Sequence, residues 1–435
     1  MSSRSNVLFF AALLLLAFAA AGLKIYVGAA DPVFASMTVS KSSTNGPPTQ
    51  TAPPQSSKSP DFSSQFVSSQ PGQAVHAPSL VELRDGSLRA VWFSGSREGA
   101  GDVTIQTAVF DVGALRWTAE TTLFNRAQLQ RGLQRYVKKI GNPVIARAPD
   151  GSLHLWMVNV SLGGWAGSAI TWARSADDGA TWSIPQRLVT SPFLNISTLV
   201  KGAPVAMTDG SVSLPVYHEF ITKFGEVLQI NAQGQVTDKT RIPGSRTSLQ
   251  PVVLVASRTD ATAYMRAGQG GKVMTSSTAN AGKTWGQASA INLPNPDSAL
   301  AALRTQSGDR WLALNPTSAG RQSLALFKSS AGSFDNSKAL FVEGISEPND
   351  TASGSMPAAN YAQFMGSELK ARGTSDSDIS AYIASAQRQL CSQQACVKEF
   401  SYPFLLQTKD GTMHLIYTWQ RSRIKHLRLG DAALN

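Results

Sequence analysis

The residues able to do chemistry in this chain fall in two sets of short segments. One set is GSREGAGD, SLGGWAG, YHEFITKFG, MRAGQGG, NPTSAGR and YTWQRS; the other is AVHAPS, KKIGNPV, LVKGAPV, SLQPVV, LPNPDS and KEFSYP. Together they hold His76, Arg97, Glu98, Asp102, Lys201, His218, Glu219, Gln250, Arg266, Asn295, Arg321, Glu399, Tyr402 and Arg421. Arginines and carboxylates gathered this way suit recognition of a polar ligand and acid–base work. They do not suit a metal: there is no H-x-x-x-H, C-x-x-C or acidic EF-hand loop. G-x-G-x-x-G and P-loop patterns are also absent, so no nucleotide cofactor is implied. The formal charge of +11 and pI near 9.7 are compatible with nucleic acid, anionic lipid or an acidic glycan. No dense Lys/Arg run occurs, and nucleic acid is not expected as a partner.

The elements that position these segments are read from a repeated phrase. Asp-Gly stands in VELRDGSLRAVWF, VIARAPDGSLHLWMV, PVAMTDGSVSLPVY and LLQTKDGTMHLIYTW, at Asp85, Asp150, Asp209 and Asp410. Each is an apolar strand, a tight turn and a second strand, which is a strong hairpin signal. Weaker copies surround Asp260 and Gly308. A third strand then leads to a second phrase, SADDGATW at Ser175–Trp182, with worn copies TANAGKTW, FDVGALRW and KSSAGSF. Units of four strands repeated six times predict an all-β chain, a six-bladed β-propeller. Both phrases then lie at one end of each blade. The chemistry-bearing segments lie at the other, the loops after the second strands and the links into the first strands, so that end is the candidate site. His154 and His414 each follow the D-G turn by three residues; a repeated position is a packing position, and neither is expected in the site.

The folded part is expected over 75–430. Before it, Val7 to Leu23 is apolar between Arg4 and Lys24, a secretory signal that is either cleaved or kept as a membrane anchor, with the anchor preferred. Residues 1–30 are thus signal or anchor, and 31–74, rich in Ser, Thr, Pro and Gln, is a disordered linker. The expected location is outside the cytoplasmic membrane, tethered by the N-terminal segment. Residues 346–397 are expected as a helical insertion that runs towards the site face, and Cys391 with Cys396 as a local disulfide.

Three stretches resemble the sialidase superfamily, in its BNR-repeat-like branch: LVELRDGSLRAVWFSGSREGAGDVTI, LPNPDSALAAL leading to GRQSLALF, and EFSYPFLLQTKDGTMHLIYTWQRSRIKHLRL. SADDGATW is similar to that family's Asp-box, S-x-D-x-G-x-T-W. The resemblance implies a six-bladed propeller and an exo-α-sialidase mechanism without a cofactor. A tyrosine is the nucleophile there, because a neutral group avoids repulsion by the sugar carboxylate. Carried over, Tyr402 is the nucleophile and Asp102 the general acid. Glu219 is the candidate base, with Glu399 behind it. Arg97, Arg266 and Arg321 form the carboxylate-binding cluster. Glu98, His76, Gln250 and Arg421 complete the substrate-binding set. The family's blade-one Arg-Ile-Pro phrase is replaced by HAPS, which has His76 in place of an arginine.

The expected function is therefore an exo-α-sialidase-like glycoside hydrolase acting on an acidic glycan or sialoglycoconjugate. The alternative is a non-catalytic glycan-binding propeller that assists surface polysaccharide assembly. Tyr402 with Asp102 favours the first; the missing Arg-Ile-Pro favours the second.

Overall fold

The computed structural model describes residue 12 and residues 31–35, 62–191, 193, 195–329, 333–335, 337–344, 355–392 and 395–430. The apolar run at 7–23 and most of the expected linker lie outside the described residues.

Among the described residues, six antiparallel sheets of four or five strands follow one another along the chain. Their first strands are Ala74–Glu82, Lys139–Arg147, Thr198–Val200 with Val205–Ala206, Ser248–Val255, Ala301–Arg304 and Phe400–Gln407. We number the sheets one to six in that order. Each sheet packs on the next, and Phe400–Gln407 of sheet six packs back on Ala74–Glu82 of sheet one. Sheet six takes its outer strand from the other end of the fold: Phe62–Phe66 pairs antiparallel with Arg423–Leu429. Phe62–Phe66 thus joins the fold from within the span 31–74 expected as a linker, of which 36–61 lie outside the described residues. Phe66 stacks edge-on to Trp419 at 5.2 Å, and Phe34, far upstream, is fully buried beside Met207.

The Asp-Gly phrases close the first hairpin of their sheets. In each, the Asp carboxylate accepts the backbone N–H two residues on: Ser87, Ser152, Ser211 and Thr412 donate at 2.9–3.0 Å. The glycine between takes φ of 80–89°, a region side chains avoid. SADDGATW is held by its own side chains. Asp177 accepts from the Thr181 amide and hydroxyl at 2.9 and 2.6 Å, and Gly179 N–H donates to Ser175 Oγ at 2.8 Å. TANAGKTW repeats the pattern with Asn280, which accepts the Thr284 amide at 2.9 Å. Asp178 then pairs with Arg84 and Arg147, tying this corner to sheet one.

Between sheets five and six stand two helices, Ala358–Ala371 and Asp376–Leu390, and a small sheet of Ser355–Pro357, Cys391–Ser392 and Ala395–Val397. Cys391 and Cys396 are bonded across it. The helices bury Tyr361, Met365, Leu369 and Tyr382 against Trp311, Leu326, Trp419 and Leu427, wedged between the two sheets.

Candidate active site

Four of the first strands carry the same irregularity. Pairing slips by one residue between His76 and Ser79, Gly141 and Val144, Leu249 and Val252, and Ser401 and Phe404. Each slip is an X-Pro dipeptide. The residue before proline lies in the left-handed region: Ala77, Asn142, Gln250 and Tyr402 have φ of 53°, 43°, 52° and 55°. Proline offers no N–H to a ladder, so it belongs where pairing is interrupted. The bulge re-aims the preceding side chain. For a ring as large as Tyr402, positive φ is strained, and such strain persists only where the surroundings hold it.

The surroundings of Tyr402 come from four other sheets. Its hydroxyl accepts a hydrogen bond from Gln250 Nε2 at 3.0 Å. The same amide donates to Tyr217 Oη at 3.3 Å, and Asn142 Nδ2 donates to that oxygen at 3.4 Å. The Tyr402 ring packs on His76, with centroids 4.2 Å apart, and Phe93 closes the other side of the imidazole at 5.7 Å. His76 is buried with neither ring nitrogen hydrogen-bonded. Burial, then Arg421, holds it well below the usual imidazole range, so it is neutral.

Around this aromatic floor runs a chain of alternating charges. Arg266 donates to Gln250 Oε1 at 3.1 Å and pairs with Asp297 at 2.5 Å. Arg321 donates to the Asp297 carbonyl at 3.0 Å and to Glu399 at 3.3 Å. Arg421 pairs with Glu399 at 3.0 Å and with Glu98 at 2.8 Å. Burial pushes the Glu399 carboxyl up, but Arg421 and Arg321 outweigh it and hold it well below the usual carboxylate range. Glu399, the reserve candidate base, is instead the anchor of two arginines.

Arg421 sits at the centre of the three-residue hairpin loop between Trp419 and Arg423, where the Ser422 N–H donates to the Trp419 carbonyl at 3.2 Å. Gln420 and Arg421 both have positive φ, 51° and 49°, in a place that asparagine and glycine usually take. The turn is held from behind. Gln420 N–H donates to the Glu399 carbonyl at 2.8 Å, and its side-chain oxygen accepts from Tyr361 of the helical insertion at 2.8 Å. The insertion thus buttresses the site through Tyr361.

The structure brings Tyr402, Gln250, His76, Arg266, Arg321, Arg421 and Glu98 into one network. Glu219 lies beside it: alternation puts it on the same strand face as Tyr217. Its carboxyl is raised by burial, against the pull of Lys223 and Arg266. No hydrogen bond joins Glu219 to Tyr402. Asp102 and Arg97 are exposed on the loop after the second strand of sheet one. Both Asp102 oxygens accept from Ser96, at 3.0 Å each. Tyr217, Asp297 and Asn142 belong to the network and were not picked out of the sequence. The signal was present: Asn142 occupies the same X-Pro place as Gln250 and Tyr402. Asn295 ties the loop that follows it to the second strand of sheet four, its side-chain oxygen accepting from Ala267 and Ser298.

Residues 86–415 match the model of the BNR repeat-like domain family. No curated protein matches the chain. Solved structures share its fold. The Hadza microbial sialidase Hz136 superposes with a TM-score of 0.59 at 16% identity, over 83% of this chain and 66% of that one. The intramolecular trans-sialidase from Ruminococcus gnavus superposes with a TM-score of 0.57 at 12% identity, over 85% and 96%. A protein of unknown function from Dyadobacter fermentans gives 0.61 at 11%, over 85% and 99%. The chain belongs to the BNR repeat-like domain family.

Proposed function

We propose that the six sheets are the blades of a six-bladed propeller, and that the face bearing Tyr402 binds an α-linked acidic sugar of the sialic acid class and hydrolyses it. The observation that carries this reading is the convergence of Arg266, Arg321 and Arg421, from three sheets, around one buried tyrosine. Each guanidinium keeps one nitrogen without a protein partner among the described residues: Nη2 of Arg266, Nε of Arg321 and Nη2 of Arg421. A planar carboxylate matches such donors.

In this reading Tyr402 Oη attacks the anomeric carbon, and Asp102 gives its proton to the departing glycosidic oxygen. Because Gln250 donates to Tyr402 Oη, that oxygen is an acceptor, and its own proton is free to leave towards Glu219. The Gln250 amide donates to this oxygen, and it remains there as a donor when water later displaces the tyrosine. Asp102 is first released from Ser96 as its loop meets the sugar. Whether the apolar run at 7–23 is retained decides whether this happens at a membrane; we place the protein on the outer side, tethered.

A second reading, binding without cleavage, is favoured by one observation: an amide and not a carboxylate touches the nucleophile. Turnover of a panel of α-linked fluorogenic acidic sugars separates the two. Release of fluorophore that Tyr402→Phe abolishes supports hydrolysis. Saturable binding with no release supports the second reading.

A further inference from the structure

A second concavity lies on the other end of the ring, the end of the Asp-Gly turns. It encloses about 480 Å³ and takes a wall from the first strand of every sheet, with Leu80, Ile145, Val253, Leu303, Phe404 and Leu405 among its apolar lining. That volume falls within the ~300–1,000 Å³ typical of small-molecule sites. Ala35 stands at its rim, carried there by the segment Asp31–Ala35, whose Phe34 and Ala35 amides donate to the carbonyls of Arg258 and Ala206 at 2.9 Å.

A smaller space of about 30 Å³ continues inward, sharing Ala203, Val253, Ala302, Phe404 and Leu405 with the larger one. Lys201 closes it. The lysine is 4% exposed, and its Nζ donates to the carbonyls of Leu300 and Pro403 at 3.3 and 2.5 Å. These come from sheets five and six, so the side chain crosses from sheet three beneath the Tyr402 bulge. No carboxylate pairs with it among the described residues, and the residues lining the space with it, from sheets three to six, are apolar. An ammonium has three protons and here uses two. A buried cation without a counter-ion is costly, and an anion arriving on its open side relieves that cost.

We propose that this cavity binds a carboxylic acid with an unbranched apolar tail, the carboxylate seated on Lys201 and the tail lying along the apolar strands. The site is distinct from the sugar-binding face and does not depend on that reading. The apolar body explains the lining, and the single acid explains a lysine that no carboxylate among the described residues neutralises. Burial alone lowers Lys201 to about 7. At pH 8 the empty site therefore holds mostly the neutral amine, and seating a carboxylate draws a proton in.

Laurate is the probe, titrated calorimetrically into the full chain at pH 8. One laurate binds per chain, and affinity rises about fourfold per added methylene until the cavity is full. Dodecanol, which has the same tail and no charge, binds at least tenfold more weakly. Binding heats measured in two buffers of different ionisation enthalpy show uptake of a proton. Ala302→Trp, which puts an indole where the larger and smaller spaces meet, abolishes laurate binding while leaving the unfolding temperature within a few degrees. Lys201→Met erases the preference for laurate over dodecanol. The proposal is overturned if the parent does not bind laurate saturably, or if binding survives Ala302→Trp. It is also overturned if no proton is taken up, a test on the unmutated chain that stands even if Lys201→Met fails to fold. Loss of the preference in Lys409→Met but not in Lys201→Met would move the carboxylate to the rim and equally defeat it.

Discussion

The phenolic oxygen of Tyr402 and the amide of Gln250 are hydrogen-bonded at 3.0 Å across 152 residues of sequence, each the left-handed residue before a proline. The same device on two first strands turns two side chains towards each other. It also puts a neutral donor where a nucleophilic tyrosine is best served by a base.

Gln250→Glu places a carboxylate on Tyr402, still within reach of Arg266. If the site hydrolyses sugars, the turnover number rises tenfold or more, because the tyrosine gains a base in contact. Gln250→Ala lowers it at least tenfold. Single-turnover kinetics on a fluorogenic acidic sugar read both; a Gln250→Ala rate equal to the parent's would remove Gln250 from the mechanism.

Glu399 holds Arg321 and Arg421 from a buried position. Glu399→Gln takes the counter-ion from Arg321 and one of two from Arg421, which keeps Glu98, and destabilises by about 3 kcal/mol. The sign with pH follows from the depressed carboxyl. Its contribution is fully present above the unfolded carboxylate value and is lost as pH falls towards the folded one. Urea unfolding at pH 7 and at pH 3.5 measures both; the penalty of the substitution shrinks at the lower pH.

His154 is buried against Trp156 and Trp172, with no hydrogen bond at either ring nitrogen. Burial lowers it to about 4 from 6.5. The unfolded chain binds the proton first, so stability falls as pH drops from about 6.5 to about 4. His154→Leu is near neutral at pH 7.5 and recovers on the order of 2–3 kcal/mol of that acid loss. Thermal melts across pH 4–8 test it, and an unchanged acid slope contradicts it.

Tyr361→Phe removes one hydrogen bond from behind the Gln420–Arg421 turn and leaves the helix packing intact. Global stability falls by about 1 kcal/mol. Acidic-sugar binding weakens by more than that stability change implies, because the turn carrying Arg421 loosens. Equal, small effects on both would make Tyr361 a packing residue only.

Much of the architecture was legible because its signals are local. Asp-Gly with a following Ser or Thr closes a hairpin through its own hydrogen bonds, and SADDGATW folds on itself. Those pieces sort the loops by face, which was enough to bring Tyr402, Arg266, Arg321, Arg421 and His76 together. The strand Phe62–Phe66 was not legible. It is five residues long at the end of a Ser-rich stretch, and only the distant Arg423–Leu429 makes it a strand. Within the site, the missed partners are those set by three-dimensional neighbours. Asp297 gains meaning from lying between Arg266 and Arg321, and Glu399 becomes an anchor only because two arginines close on it. The loop that carries Asp102 is legible in the sequence; the bonds from Ser96 that occupy its carboxylate are not.

The proposed role of the arginines beside Tyr402 is to receive a sugar carboxylate. It is tested most directly by equilibrium binding to Tyr402→Phe, which cannot turn substrate over. The ligands are an α-methyl sialoside and its carboxylate methyl ester. The acid binds saturably, the ester binds at least tenfold more weakly, and that preference is lost when Arg266→Ala is added. Equal binding of acid and ester, or binding of neither, would contradict it.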